Sequence, residues 1–337
     1  NSQILDIHSI CNQVGFRISI DFLVKAVNRI AMKNKYNPVK EYLEDCEAFY
    51  DDTQESTIKQ VADCLITNNF DENLKYKLLE KWLLNTANIV YNRGYSNTEG
   101  CLVLQGPQGC GKTSFIKAII PPKFLKTGLD LNPSETDSIR KCIKYWVVEL
   151  GELDSTMKSD QAKLKAFITE SIDEYRIPYS ISPVRYNRTT SFFGTVNKSN
   201  FLKDETGDRR YWVIPIEEVN LNRLRKIDIN QLWGEVMSLL PYNLNNLNLN
   251  KEELKELSES NKEFRVKGST QIKIETGFLW NEPKENWIVV SSSEIASKLG
   301  LTSTSGLREA LESCGAEYKR NKKQRGYLVP SFVYDQY

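Results

Sequence analysis

Gly106-Pro107-Gln108-Gly109-Cys110-Gly111-Lys112-Thr113 fits the pattern G-x-x-x-x-G-K-[ST]. Its glycines let backbone N–H groups turn toward phosphate oxygens, and the helix expected from Ser114 to Ile120 adds a favourable dipole at its start. Lys112 would reach the β- and γ-phosphates, and the Thr113 hydroxyl would ligate Mg²⁺. Gly106 through Ser114 are therefore the expected nucleotide-binding residues.

Such a site needs an acid at the end of a neighbouring strand. Tyr145-Trp146-Val147-Val148 runs straight into Glu149, the first choice to share the metal with Thr113. Glu152 could act on the attacking water, and Asp154 lies close behind. Ser191–Val196 ends in Asn197, whose amide could orient water beside the γ-phosphate without adding negative charge; an Asx turn is the competing reading. Gly207-Asp208-Arg209-Arg210 places two cations where one could stabilise transition-state charge, often across a subunit boundary. An ordinary surface ion pair competes with that role.

Other chemistries lack material. The sole histidine is His8, which removes histidine triads and histidine metal sites. Cys11, Cys46, Cys64, Cys101, Cys110, Cys142 and Cys314 are scattered without zinc-ligand spacing, as expected for reduced thiols in a cytoplasmic protein. No apolar run nears the ~20 residues of a membrane span. The 45 basic and 44 acidic side chains give a net charge of +1, so any DNA-binding surface must be local.

Residues 1–98 read as helical, with apolar residues at three- and four-residue spacing in Asp21–Ala31 and Glu72–Val90. They are expected to form a bundle or collar. From 99 to 240, short apolar runs at 101–105, 145–150 and 191–196 alternate with helical stretches, which predicts an α/β domain with a largely parallel sheet. Residues 241–286 read as an Asn-rich linker and one long charged helix over Lys251–Lys267. Residues 287–337 give a helix over Ser291–Leu299, a second over Thr304–Ser313 and a basic hairpin. That is the order of a winged helix-turn-helix.

GPQGCGKT, WVVELGEL (146–153), DEYRIPY (173–179), GTVN (194–197) and LKDETGDRRYWVIPI (202–216) together resemble the virulence-associated protein E family. This is a group of superfamily 3-like AAA+ helicases of phages, plasmids and genomic islands. The resemblance implies an AAA+-like core hydrolysing ATP, a homo-oligomeric ring expected to be hexameric, and work on single-stranded and duplex DNA in mobile-element replication. Primase or other replication proteins are further expected partners, and no membrane is involved. It implies Glu149 in the acidic motif, Asn197 as sensor and Arg209 or Arg210 as finger. The segment between Tyr175 and Arg188 would be a DNA-gripping hairpin with Arg185 and Arg188 as its cations; Lys163 and Lys165 precede it as weaker candidates. Glu149 is followed by Leu150 rather than a second acid, which leaves the division between Glu149 and Glu152 open.

In the C-terminal unit, Lys319, Arg320, Lys322, Lys323 and Arg325 cluster on the wing, and Ser303, Thr304, Ser305 and Arg308 open the second helix. Duplex binding and a protein–protein module both fit. The expected function is an ATP-driven helicase. The alternatives are an ATP-switched initiator without unwinding and a defence or signalling NTPase. The chain begins at Asn1 without an initiator Met, so an upstream domain is compatible with it. Replacing Lys322 and Lys323 by Ala should weaken duplex binding and flatten its log–log salt dependence by about 1 unit for each phosphate no longer neutralised. Unchanged affinity at low salt would remove the wing from the DNA interface.

Overall fold

The computed structural model describes residues 2–34, 36–91, 100–129, 135–151, 161–175, 184–202, 205–266, 268–301, 303–304, 306–320 and 325–333. A short antiparallel pair, β1 (Leu65–Ile66) with β9 (Glu218–Val219), stands apart from the main sheet. That sheet is five-stranded and parallel: β2 (Cys101–Gln105), β3 (Leu125–Lys126), β4 (Val147–Leu150), β7 (Ser191–Val196) and β8 (Tyr211–Pro215), in the order β3-β4-β7-β2-β8. The strands are apolar almost throughout because both faces are covered. In β2, Leu102 and Leu104 enter one core while Cys101 and Val103 enter the other; Trp212 and Ile214 alternate with Tyr211 and Val213 in β8.

The first face carries α3 (Pro38–Ala48), α4 (Thr57–Ala62), α5 (Glu72–Tyr91), α6 (Lys112–Ile119), α9 (Leu221–Leu224) and α10 (Ile229–Asn243). Asn37 and Pro38 start α3 as N-cap and first residue, where a missing N–H costs nothing. Trp82, on α5, donates to Phe192 O at 2.8 Å, and Trp146 returns a bond to Thr86 O at 2.8 Å. One hydrophobic core takes in residues from Val39 to Leu257. The boundary expected between 98 and 99 therefore falls inside one core, and α3 to α5 are part of the sheet's own packing. Of the described helices before residue 98, α1 (Ser2–Gln13) and α2 (Ile20–Lys33) leave most apolar side chains outside it, with Phe16 between them and Phe22 exposed.

The second face packs α7 (Thr136–Cys142) and α8 (Gln161–Thr169), with Leu164, Phe167 and Ile168 turned inward. An antiparallel hairpin of β5 (Ile172–Tyr175) and β6 (Val184–Asn187) follows. At its base Arg188 is buried, with its side chain 0% exposed. Its guanidinium donates to both Asp173 carboxylate oxygens and to Phe167 O, and lies 4.2 Å from the Phe167 ring centroid. Arg188 therefore has no surface to offer a phosphate, contrary to expectation: burial next to Phe167 and Phe192 made the ion pair with Asp173 obligatory. Lys165 is also buried, while Arg185 is exposed opposite Glu174.

The expected long helix over 251–267 stops early. As α11 (Lys251–Asn261) it gives way to one 3₁₀ turn and an extended segment, because Phe264 is buried and Arg265 pairs with Asp208. At its start Asn250 and Glu253 form a capping box, and Lys81 of α5 donates to Glu253 Oε2 at 2.8 Å.

A third core joins α12 (Ser269–Gly277), β10 (Ile288–Val290), α13 (Ser292–Lys298), α14 (Leu307–Ser313) and β12 (Arg325–Val329), while β11 (Glu317–Arg320), exposed throughout, pairs with β12. Its antiparallel sheet has the order β10-β12-β11. Because Ile274 and Phe278 lie in this core, the unit begins before residue 287. No described helix is long and apolar enough to cross a membrane.

Two consequences are measurable. Arg188→Ala leaves Asp173 buried and unpaired, which should cost about 3–5 kcal/mol in urea unfolding; a loss below about 1 kcal/mol would refute the account of the hairpin base. Burial alone would raise the Glu253 carboxyl, but bonds from Lys81 and the Asn250 N–H outweigh it and hold it below the usual range. A lowered carboxyl stabilises the fold above its unfolded value, and that stabilisation disappears as pH falls through the folded value. Between pH 7 and about pH 3, the parent should lose more stability than Glu253→Gln.

Candidate functional site

In a parallel sheet all carboxyl ends lie on one edge, where loops gather ligands. Here that edge opens into a cleft of about 420 Å³ between the loop after β2, the start of α6 and the ends of β3, β4 and β7. The loop turns on Gly109 at φ 85° and Gly111 at φ 99°, a region that favours glycine. A Cβ at Gly111 would also sit 3.0 Å from Val219 Cβ. Gln108, Gly109, Gly111, Lys112, Thr113 and Ser114 line the cleft. Gly106 and Cys110 hold the loop from behind, since a Cβ at Gly106 would meet Ile216 O at 2.3 Å and Cys110 O accepts from Val219 N at 2.8 Å, while Pro107 is exposed.

Lys112 is buried, and its Nζ donates to Gly106 O at 2.8 Å and Pro107 O at 2.7 Å within the hollow of the loop. Thr113 Oγ1 donates to Glu149 Oε1. Glu149 is 2% exposed at the end of β4, on the same sheet face as Val147 and α6, because side chains alternate along the strand. Its other bonds come from Thr195 Oγ1 at 3.4 Å and the Gly128 N–H at 3.3 Å. A carboxylate buried among hydroxyl and amide donors suits a divalent ion shared with Thr113. No group of three or more acidic, histidine or cysteine ligands occurs among the described residues, so phosphate oxygens and water would complete such a shell. Asn197, exposed just after β7, faces the same cleft.

Thr195, Thr127 and Gly128 also line it, and none is singled out by motif. Thr195 was reachable from the sequence: it lies two residues before Asn197, and the two-residue period of β7 puts it on the face of Phe193, which pairs with Glu149. Glu152 falls outside the described residues.

Arg209 and Arg210 are elsewhere. They end a 3₁₀ turn, Glu205–Arg210, that leads into β8, and Tyr211 pairs with Cys101 at the amino end of β2. A five-residue strand at ~3.3 Å per residue puts about 16 Å of sheet between them and the cleft. Within one chain neither arginine can meet a phosphate held by Lys112.

In the C-terminal unit Arg308, Lys319, Arg320 and Arg325 are exposed. Arg320 and Arg325 face each other at the tip of the β11–β12 ladder, and Tyr318 packs edge-on against Tyr327 with centroids 5.2 Å apart. The partners of Arg308 and Lys319 are Glu312 at 2.9 Å and Glu317 at 2.7 Å, surface pairs weak enough to yield to a phosphate. Thr304 is exposed, Ser303 is engaged within the fold, and Ser305, Lys322 and Lys323 lie outside the described residues, as does the Lys163 side chain.

Among solved structures, the A-form apo structure of the NrS-1 C-terminal region is 14% identical, with 88% of this chain and 79% of that chain covered at a TM-score of 0.47. A second apo structure of that region is 15% identical over the same shares, at 0.44. No curated protein matches the chain. Residues 43–266, which take in the sheet, the cleft and the arginine turn, match the virulence-associated protein E-like domain, and the chain belongs to that family.

Proposed function

We propose that this protein is an ATP-driven DNA motor of mobile-element replication, working as a ring of identical subunits. The observation that carries the reading is the placement of the site residues: Lys112, Thr113, Glu149 and Asn197 converge on one cleft, while Arg209 and Arg210 lie at the opposite edge of the same sheet. A chain built so has a nucleotide site that it cannot complete and a pair of cations that it cannot use alone. Head-to-tail association resolves both, because one subunit's arginines then face the next subunit's cleft.

Each residue has a role in hydrolysis of the terminal phosphoryl bond. Lys112 releases the Gly106 and Pro107 carbonyls and takes the β- and γ-phosphate oxygens. Thr113 and Glu149 would hold Mg²⁺, which when bound neutralises charge on the phosphates. Asn197 orients the attacking water through its amide, and Glu152 is the candidate to accept its proton. The neighbour's Arg209 or Arg210 stabilises the charge that develops on the transferred group.

The β5–β6 hairpin, with Arg185 exposed, would follow a strand through the ring. The 269–333 unit would act as a winged helix, with α14 toward a duplex groove and Lys319, Arg320 and Arg325 on phosphates. Lys112→Ala should reduce ATP hydrolysis and unwinding of a forked duplex to background together. Unwinding that persists without hydrolysis would contradict the motor; hydrolysis without unwinding in the parent would favour an ATP-switched initiator.

A further inference from the structure

The arginine turn is held by a segment that has no part in the cleft. Asn261, the last residue of α11, is 0% exposed, and its Nδ2 donates to Asp208 O at 3.1 Å and Tyr211 O at 3.0 Å. Those two carbonyls bracket Arg209 and Arg210, so one side-chain amide spans the turn. Four residues on, Arg265 Nε donates to Asp208 Oδ2 at 2.6 Å, and Asp208 is itself buried.

The same segment grips the chain that leaves the sensor Asn197. Phe264 O accepts from Phe201 N at 2.8 Å and Leu202 N at 2.9 Å, and Val266 N donates to Leu202 O at 2.6 Å. Asn200 Nδ2 donates to Arg265 O at 2.8 Å. Residues 261–266 therefore strap down both ends of the connection from Asn197 to Arg210. Arg210 is itself not committed to the fold in the same way, since its Nε is buried without a hydrogen-bond partner among the described residues.

We propose that Asn261 and Arg265 are positioning residues for the arginine finger: the 261–266 strap sets Arg209 and Arg210 at the angle at which they meet a neighbouring subunit's nucleotide. The proposal rests on the ring reading above. The strap's hydrogen bonds fall on each side of the arginines rather than on their guanidinium groups, so they fix where the turn points without engaging the side chains that would meet a phosphate. A misplacement of this kind costs rate without costing nucleotide affinity, because the strap does not touch the cleft of its own chain.

The test uses the full chain with Arg265→Ala, Arg265→Lys, the double variant Arg209→Ala/Arg210→Ala, and Lys112→Ala. Arg265→Ala should lower kcat for ATP about 10-fold or more while fluorescent ATP-analogue binding stays within about 2-fold. Arg265→Lys, which keeps a cation beside Asp208, should recover most of the rate. Lys112→Ala subunits have intact fingers but no working cleft, so mixing them with Arg265→Ala subunits should restore hydrolysis above that of either alone. The double arginine variant mixed with Lys112→Ala should show the same complementation. An unchanged kcat in Arg265→Ala overturns the proposal. So does a loss that mixing fails to rescue while the double variant is rescued, and in that case the ring reading stands. Failure of the double variant to be rescued overturns the ring reading and the proposal with it. If Arg265→Ala does not fold, the isosteric Asp208→Asn tests the same ion pair.

Discussion

Five strands running in one direction have two unlike edges, and the placement of this protein's site residues follows from that constraint. The carboxyl ends of β2, β3, β4 and β7 deliver the glycine loop, Thr127 and Gly128, Glu149, and Thr195 and Asn197 to one cleft. The amino end of β8 leaves Arg209 and Arg210 on the far edge. Parallel pairing requires helices over both faces, so the apolar strands and the helices on each side are consequences of the same topology. Glu149 can be buried there only because hydroxyl and amide donors from three elements surround it.

Two buried charges illustrate what such a fold tolerates. Glu149 is held by neutral donors and is suited to receive a cation from outside the chain. Arg188 is fully paired with Asp173 and packed on Phe167, and so serves the structure. Both are charged residues at the end of a short strand, and the surroundings alone separate a candidate binding group from a structural one.

That difference marks what the sequence could convey. Lys112, Thr113, Glu149 and Asn197 were legible because a loop motif and apolar runs ending in polar residues are local patterns. The spans of α2, α5 and β7 were legible to within two residues for the same reason: apolar periodicity acts within a few residues. Arg188 was not, since Asp173 and Phe167 reach it only once the hairpin and α8 are packed. The stop of α11 at Asn261 was also hidden, because it depends on Phe264 meeting Phe201 and on Arg265 meeting Asp208. Nor could the helices before residue 98 be seen to share a core with the sheet, since that core closes only when α10 returns from beyond residue 229.

On the proposed reading, an incomplete cleft and displaced arginines on one chain would make turnover a property of the assembly. The most direct measurement is ATP turnover per subunit across a wide range of protein concentration, with particle mass followed by light scattering on the same samples. The account expects turnover per subunit near zero for the monomer, rising in step with the fraction of chains in larger particles. Full turnover per subunit in a particle of monomer mass would contradict it.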